Sequence, residues 1–185
     1  MGFKISWLAV QGADRAAMLD HLGLADTGEV DQANEAPFSV ADLPTGWTIV
    51  WANDFDYADD QRASRLSALG PTLSVQLHEG VMYAQARYYT FGERRWSIVY
   101  DSDEDKIDQD GALPVQAAEI EAACRAEQAA ADAAGEPVSH LFDFPLRVAK
   151  SLCGFRHDNQ LVNEVVPVFT VAAAPGKPPH RRWWS

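Results

Sequence analysis

Cysteine is scarce: 185 residues carry only Cys124 and Cys153, far apart and in no C-x-x-C spacing. The sequence leaves a single disulfide between them open, and two reduced, packed thiols in a cytoplasmic protein are the expectation. Long hydrophobic runs are missing as well. No segment approaches the roughly 18 apolar residues that a membrane-spanning helix needs. The apolar stretch Phe3–Val10 is too short for the core of a signal peptide, and no cleavage site follows it. Five histidines show no H-x-x-x-H or H-x-E spacing, and there is no Gly-rich phosphate loop, G-x-S-x-G or G-x-G-x-x-G. The common signatures of zinc, nucleotide and serine-hydrolase chemistry are thus absent, and no cofactor is expected.

Positive charge is the other shortage. Lys and Arg number 15 against 27 acids, for a net charge of -12. Lys177, Arg181 and Arg182 fall in the acid-free stretch 175–185, which leaves the remainder of the chain at -15. Such a body repels phosphate backbones and anionic lipid, which argues against direct nucleic-acid or membrane binding and suits either solubility or a basic protein partner.

What the chain does contain is a core. Hydrophobic residues make up 47% and include six tryptophans. A chain of this length buries roughly 70% of its unfolded surface without a staple. One domain over residues 1–174 is expected, followed by a flexible basic and aromatic tail at 175–185.

The clearest pattern runs from Pro71 to Asp101. Leu73, Val75 and Leu77 alternate with Ser74, Gln76 and His78; Met82, Ala84 and Ala86 with Tyr83, Gln85 and Arg87; Trp96, Ile98 and Tyr100 with Arg95, Ser97 and Val99. Period-two alternation predicts an antiparallel meander with one buried and one wet face. Its breaks, His78-Glu79-Gly80 and Thr90-Phe91-Gly92-Glu93, carry the glycine that a hairpin uses where φ turns positive.

Elsewhere, residues 3–10 predict an interior strand, and Trp47–Asn53 a second one with Trp47, Ile49 and Trp51 on one face. Helices are expected over Asp14–Leu22, Asp59–Leu69, Pro114–Ala134 and Asp143–Cys153, ended by Gly23, Gly70-Pro71, Gly135 and Gly154. Residues 25–46 read as a long connection with a helical turn at Ser39–Leu43. Val162–Ala174 reads as a strand that Pro167 confines to an edge. The sum is an α+β domain: a mainly antiparallel sheet of about five strands with helices packed on one face.

The signatures Leu22-Gly23-Leu24 with Thr27-Gly28-Glu29, Leu43-Pro44-x-Gly46-Trp47 and Asn53-Asp54-Phe55-Asp56 resemble those of a set of small bacterial proteins of unassigned function. The resemblance covers most of residues 3–111 and implies no catalytic residue.

Three groups of residues invite chemistry. Asp101-Ser102-Asp103-Glu104-Asp105 starts like an EF-hand loop, but Lys106 stands where the loop turns on glycine and Ala112 where a glutamate closes the shell. Asp54 with Asp56, and Asp101 with Asp103, share the i, i+2 spacing that presents two carboxylates together on an extended chain. Were the four to converge, they would suit a divalent cation. Cys153-Gly154-Phe155-Arg156-His157-Asp158 places a thiol, an imidazole and a carboxylate close in sequence, although Gly154 breaks the helix between them. A buried, structural Cys153 is the expectation.

The leading functional reading is a non-enzymatic acidic binding protein of the immunity or antitoxin kind, occluding a basic protein such as a toxin that itself binds nucleic acid. Asp54, Asp56, Asp101, Asp103, Glu104 and Asp105 would steer that partner, and Tyr83, Arg87 and Tyr89 on the meander's wet face would anchor it. Two other readings stand beside it: a metal-dependent hydrolase built on the clustered aspartates, and a housekeeping or structural adaptor.

Overall fold

The computed structural model describes residues 2–104, 106–158 and 167–175. Strand β1 (Lys4–Gln11) runs through the middle of one sheet, between β4 (Trp47–Ala52) and β5 (Thr72–His78). Its nearly continuous apolar run, interrupted at Ser6, is explained by burial on both sides. Ile5, Trp7 and Ala9 join one core, while Leu8 and Val10 join another on the opposite face.

The remaining strands are β2 (Ala25–Val30), β3 (Phe38–Asp42), β6 (Tyr83–Thr90), β7 (Glu93–Asp101), β8 (Lys106–Gly111) and β9 (Thr170–Ala173). Among the described residues these nine strands make a single antiparallel sheet in the order β2-β9-β3-β4-β1-β5-β6-β7-β8. The α+β class and the β5-β6-β7 meander agree with the sequence reading, but the sheet is wider than five strands.

The helices also depart from it. Helices α3 (Ala117–Ala134) and α4 (Asp143–Cys153) cover the face carrying Trp7, Trp47, Trp51 and Trp96. Helices α1 (Arg15–Leu22) and α2 (Asp60–Leu66) cover the other, around Leu8, Val50 and Tyr89. Helices therefore lie on both faces, because the central strands are apolar on both.

Local signals explain most helix ends. The Asp14 side chain accepts from Ala17 N, the Asp59 side chain from Arg62 N, and left-handed Gly23, Gly135 and Gly154 close α1, α3 and α4. Helix α2 stops at Leu66, short of Leu69. Asp143 opens α4 with no side-chain cap; it pairs instead with Arg156 at 2.7 Å and Arg147 at 3.4 Å. Only Ala117, Cys124 and Ala131 of α3 are buried, a narrow seven-residue repeat, so most of that helix faces solvent.

Within 25–46 the expected loop and helical turn are strands β2 and β3. β3 is buried at Ser39, Val40 and Ala41, and each of its neighbours supplies a ladder. β9 starts beyond Pro167, so the missing N–H never enters a ladder, and the strand sits inside the sheet between β2 and β3 rather than at an edge. The stretch that follows the acidic run is likewise strand, β8. At the β5–β6 turn it is Met82, not Gly80, that takes the positive φ of 47°. Residues 176–185 of the tail expected over 175–185 lie outside the described residues, as do Val162–Val166 of the expected strand.

Candidate functional site

One end of the sheet gathers most of the singled-out residues. The register sets Ser6 opposite both Ala52 and Gln76, Lys4 opposite His78, His78 opposite Tyr83, and Tyr83 opposite Asp101. The turn after β4, with Asp54 and Asp56, and the turn after β7, with Asp101, Asp103 and Glu104, therefore leave from the same end. Asp105 lies outside the described residues.

After β4 the chain crosses the sheet face. Asn53 anchors the crossing: its Nδ2 donates to Asn34 O at 2.6 Å and Ala36 O at 2.7 Å, and its Oδ1 accepts from Trp51 Nε1 at 3.0 Å. Ser6 Oγ donates to Asp54 O at 2.6 Å and accepts from Ala58 N at 3.1 Å. Ser74 Oγ donates to Ala58 O at 2.6 Å, and Gln76 Nε2 to Phe55 O at 2.8 Å. The Phe55 ring then lies 5.7 Å from that of Tyr83 and 6.2 Å from that of His78, both edge-on. The Asn-Asp-Phe-Asp signature is thus the device that fastens a crossover to the sheet.

This crossover and α2 overturn the expectation of a wet meander face. Gln76 and Gln85 are 7% exposed and Tyr89 is 2% exposed. Arg87 Nη1 bonds Asp60 Oδ1 at 2.7 Å, Arg87 Nη2 donates to Gln76 Oε1 at 3.2 Å and also to Gln85 Oε1, and Tyr89 OH donates to Asp60. Tyr83 OH donates to Gln85 Oε1 at 2.9 Å. Burial and the Asp60 carboxylate push the Tyr89 phenol far above its usual pKa. Arg87 and Tyr89 are committed to holding α2, whereas half-buried Tyr83 and Phe55 form the accessible aromatic edge. Asp60, which closes this network, escaped the sequence reading. An arginine and a tyrosine two positions apart on one strand face were the available signal.

The carboxylates do not converge. Asp54 Oδ1 accepts from Asp56 N, and Asp101 Oδ1 from Asp103 N, each at 3.0 Å. Both i, i+2 pairs are Asx turns, in which the first acid binds the backbone of the second rather than pointing alongside it. Among the described residues no three Asp, Glu, His or Cys side chains are grouped to hold a metal ion.

Cys124 and Cys153 are both free and buried. Burial pushes the Cys153 thiol up to about 12, and its Sγ donates to Phe155 O at 3.7 Å. His157 faces elsewhere: Nε2 lies 3.3 Å from Glu79 Oε1, and the ring meets Phe3 edge-on at 5.1 Å. Thiol and imidazole therefore form no nucleophile–base pair.

At the far side of the molecule a cleft of about 260 Å³ lies between α1 and β2, lined by Arg15, Leu19, Leu24 and Asp26. Its one cation is spent internally, on Asp26 at 2.7 Å, Asp42 at 3.0 Å and Thr170 Oγ1 at 3.2 Å.

No family model matches the chain, and no curated protein or solved structure matches it either. Among the described residues no helix is long and apolar enough to cross a membrane.

Proposed function

We propose that this is a non-enzymatic acidic binding protein, of the immunity or antitoxin kind, whose sheet end docks on a basic protein partner and occludes it. The observation that carries the reading is the placement of two acidic turns, Asp54–Asp56 and Asp101–Glu104, at one end of the sheet around the half-buried Phe55–Tyr83 pair. Aromatic side chains that bury area at low entropic cost, rimmed by charge of one sign, match the anatomy of a protein interface. Charges of the rim speed association, while the aromatic contact slows dissociation.

The test starts by capturing a partner from a lysate of the native host with the tagged protein. Its association is then followed for the wild type and for a variant carrying D101N, D103N, E104Q and D105N. The partner is expected to be basic, and the variant to associate several-fold more slowly at low salt. That difference fades near physiological ionic strength, where the Debye length is about 8 Å. Tyr83→Ala raises the off-rate with little salt dependence. An acidic partner, or equal association rates at every salt concentration, overturns the reading.

A further inference from the structure

Among the described residues β8 leaves one side of its backbone open: it is the last strand of the sheet and pairs with β7 alone. Ala112 N donates to Arg95 O at 3.2 Å, and the register continues unshifted from Trp96↔Gly111 to Asp101↔Lys106. Antiparallel alternation then turns the N–H and C=O groups of Asp108 and Asp110 toward β7, and those of Ile107 and Gln109 outward. Among the described residues no hydrogen bond reaches these outward groups.

The side chains around this edge select what can join it. Ile107 packs against the core beneath, and Gln109 Nε2 donates to Glu121 Oε2 of α3 at 2.8 Å. On the opposite face Lys106, Asp108 and Asp110 project into solvent, with side chains 57%, 59% and 71% exposed. Lys106 pairs with Asp108 at 2.5 Å and Arg94 with Asp110 at 3.1 Å, exposed pairs weak enough for an incoming Lys or Arg to replace. The acidic turn Asp101–Glu104 leads directly into the strand.

A second copy fits this edge less well. Two-fold pairing about Ile107 sets opposite charges together, Lys106 against Asp108, but it brings two bodies of net charge -12 into contact. Pairing about Asp108 sets that residue against itself, and pairing about Gln109 sets Asp108 against Asp110. Like charges directly opposite are destabilising. The other end of the sheet is blunted: the β2–β9 register shifts between Asp26 and Val30, and the Asp26 and Thr27 side chains bond Gly28 N and Glu29 N.

We propose that β8 is a strand-addition site for an extended, basic segment of a protein partner, carrying Lys or Arg at the alternate positions that face Asp108 and Asp110. These are the closely spaced, non-hydrogen-bonded positions of the new pair, where side chains interact most strongly. Backbone bonds to Ile107 and Gln109 supply the pairing. The inference rests on the acidic-docking reading above and adds the conformation of the bound segment.

The probe is the peptide acetyl-Thr-Lys-Val-Lys-Val-Thr-Thr-amide, which sets its lysines opposite Asp110 and Asp108 and an uncharged residue opposite Lys106. It is compared at low salt with an analogue N-methylated at both valines. The analogue keeps every charge but cannot donate to the Ile107 and Gln109 carbonyls. The parent peptide is expected to bind and to slow hydrogen exchange at the Ile107 and Gln109 amides. The analogue is expected to bind about tenfold more weakly or worse, the cost of two lost hydrogen bonds. Gln109→Pro removes the outward N–H together with the side-chain bond to Glu121, so Gln109→Ala, which loses the side-chain bond alone, is its control. The alanine variant should keep the parent peptide and the proline variant lose it to a similar degree.

Equal binding of the two peptides overturns strand addition while leaving charge-driven docking at the turns intact. No binding of either peptide also overturns it. So does a dimeric protein whose Ile107 and Gln109 amides are protected without peptide, because a second copy then holds the edge. Failure of the docking reading is read separately, from the charge of the captured partner.

Discussion

At the scale of single residues, the spacing of chemical groups in sequence proved a weaker guide than the backbone bonds they make. Asp54 and Asp101 look like halves of a metal site and act as turn formers. His157 shows the same separation of sequence from role, and it has a measurable consequence. Burial lowers its pKa below the ordinary 6.5, outweighing the opposing pull of Asp158 and Glu79. An unfolded chain takes up this proton near pH 6.5, whereas the folded one resists it. Below about pH 6.5 the unfolded state therefore binds more protons, so stability is full above that pH and falls as pH falls through the window beneath it. Urea midpoints should drop between about pH 7 and 5, above the range where ordinary carboxylates titrate. His157→Gln, which keeps a donor for Glu79 but cannot ionise, should flatten that slope. An unchanged slope in the variant would assign the acid sensitivity to other groups.

At the scale of elements, the β6–β7 hairpin carries a local conflict. Its two central residues, Phe91 and Gly92, have φ of 51° and 81°, so both are left-handed. Asn-Gly suits such a turn; an aromatic side chain at the first position costs roughly 1–2 kcal/mol. Phe91 gains no burial in exchange, being 87% exposed. The strain is held by α2 and the residue that caps it, where Ser64 Oγ donates to Gly92 O at 2.7 Å and Ser67 Oγ accepts from Gly92 N at 2.8 Å. Phe91→Asn should therefore stabilise the protein by about 1 kcal/mol, raising the melting temperature by about 2–4 °C. A lower melting temperature would mean that the ring rests on part of the chain after all.

The same hairpin marks where sequence reasoning succeeds. β5, β6 and β7 were legible because their apolar residues alternate, and α1 and α4 because Asp14, Gly23 and Gly154 punctuate them. β2 and β8 were not, since Ala-Asp-Thr-Gly-Glu-Val and Lys-Ile-Asp-Gln-Asp-Gly have almost nothing apolar to alternate; their strand conformation comes from the partners beside them. Position in the sheet was illegible for the same kind of reason. The β9–β3 ladder joins residues about 130 apart, and no local signal says that a C-terminal strand enters between two early ones. The candidate site divides along this line: its acids and Tyr83 could be read from the chain, while the crossover that buries Tyr89 and ties up Arg87 could not.

At the scale of the whole molecule, the question is whether the charge surplus or the individual ion pairs dominate. Arg87–Asp60, Arg147–Glu127 and Arg125–Glu121 are close, at 2.7, 2.6 and 2.7 Å, but each has at least one partly exposed partner. Such pairs contribute about 0–1 kcal/mol apiece and weaken as salt is added. Against them stands a net charge of -12, whose self-repulsion compactness increases and salt relieves. With 27 acids facing 15 cations, carboxylates outnumber the cations that could pair with them, and Asp54, Asp56, Asp101 and Asp103 add to the negative charge at one end of the sheet without converging. The surplus should win. Raising NaCl from about 10 to 150 mM shortens the Debye length from roughly 30 to 8 Å and should raise the urea midpoint at pH 7.5. Neutralising Asp56, Asp103 and Glu104, whose side chains cap no helix, should raise the low-salt midpoint and shrink the salt response together. A midpoint that falls with salt would show that attractive pairs outweigh the surplus. The acidic end would then be stabilised by its neighbours rather than held under repulsion that a basic partner relieves.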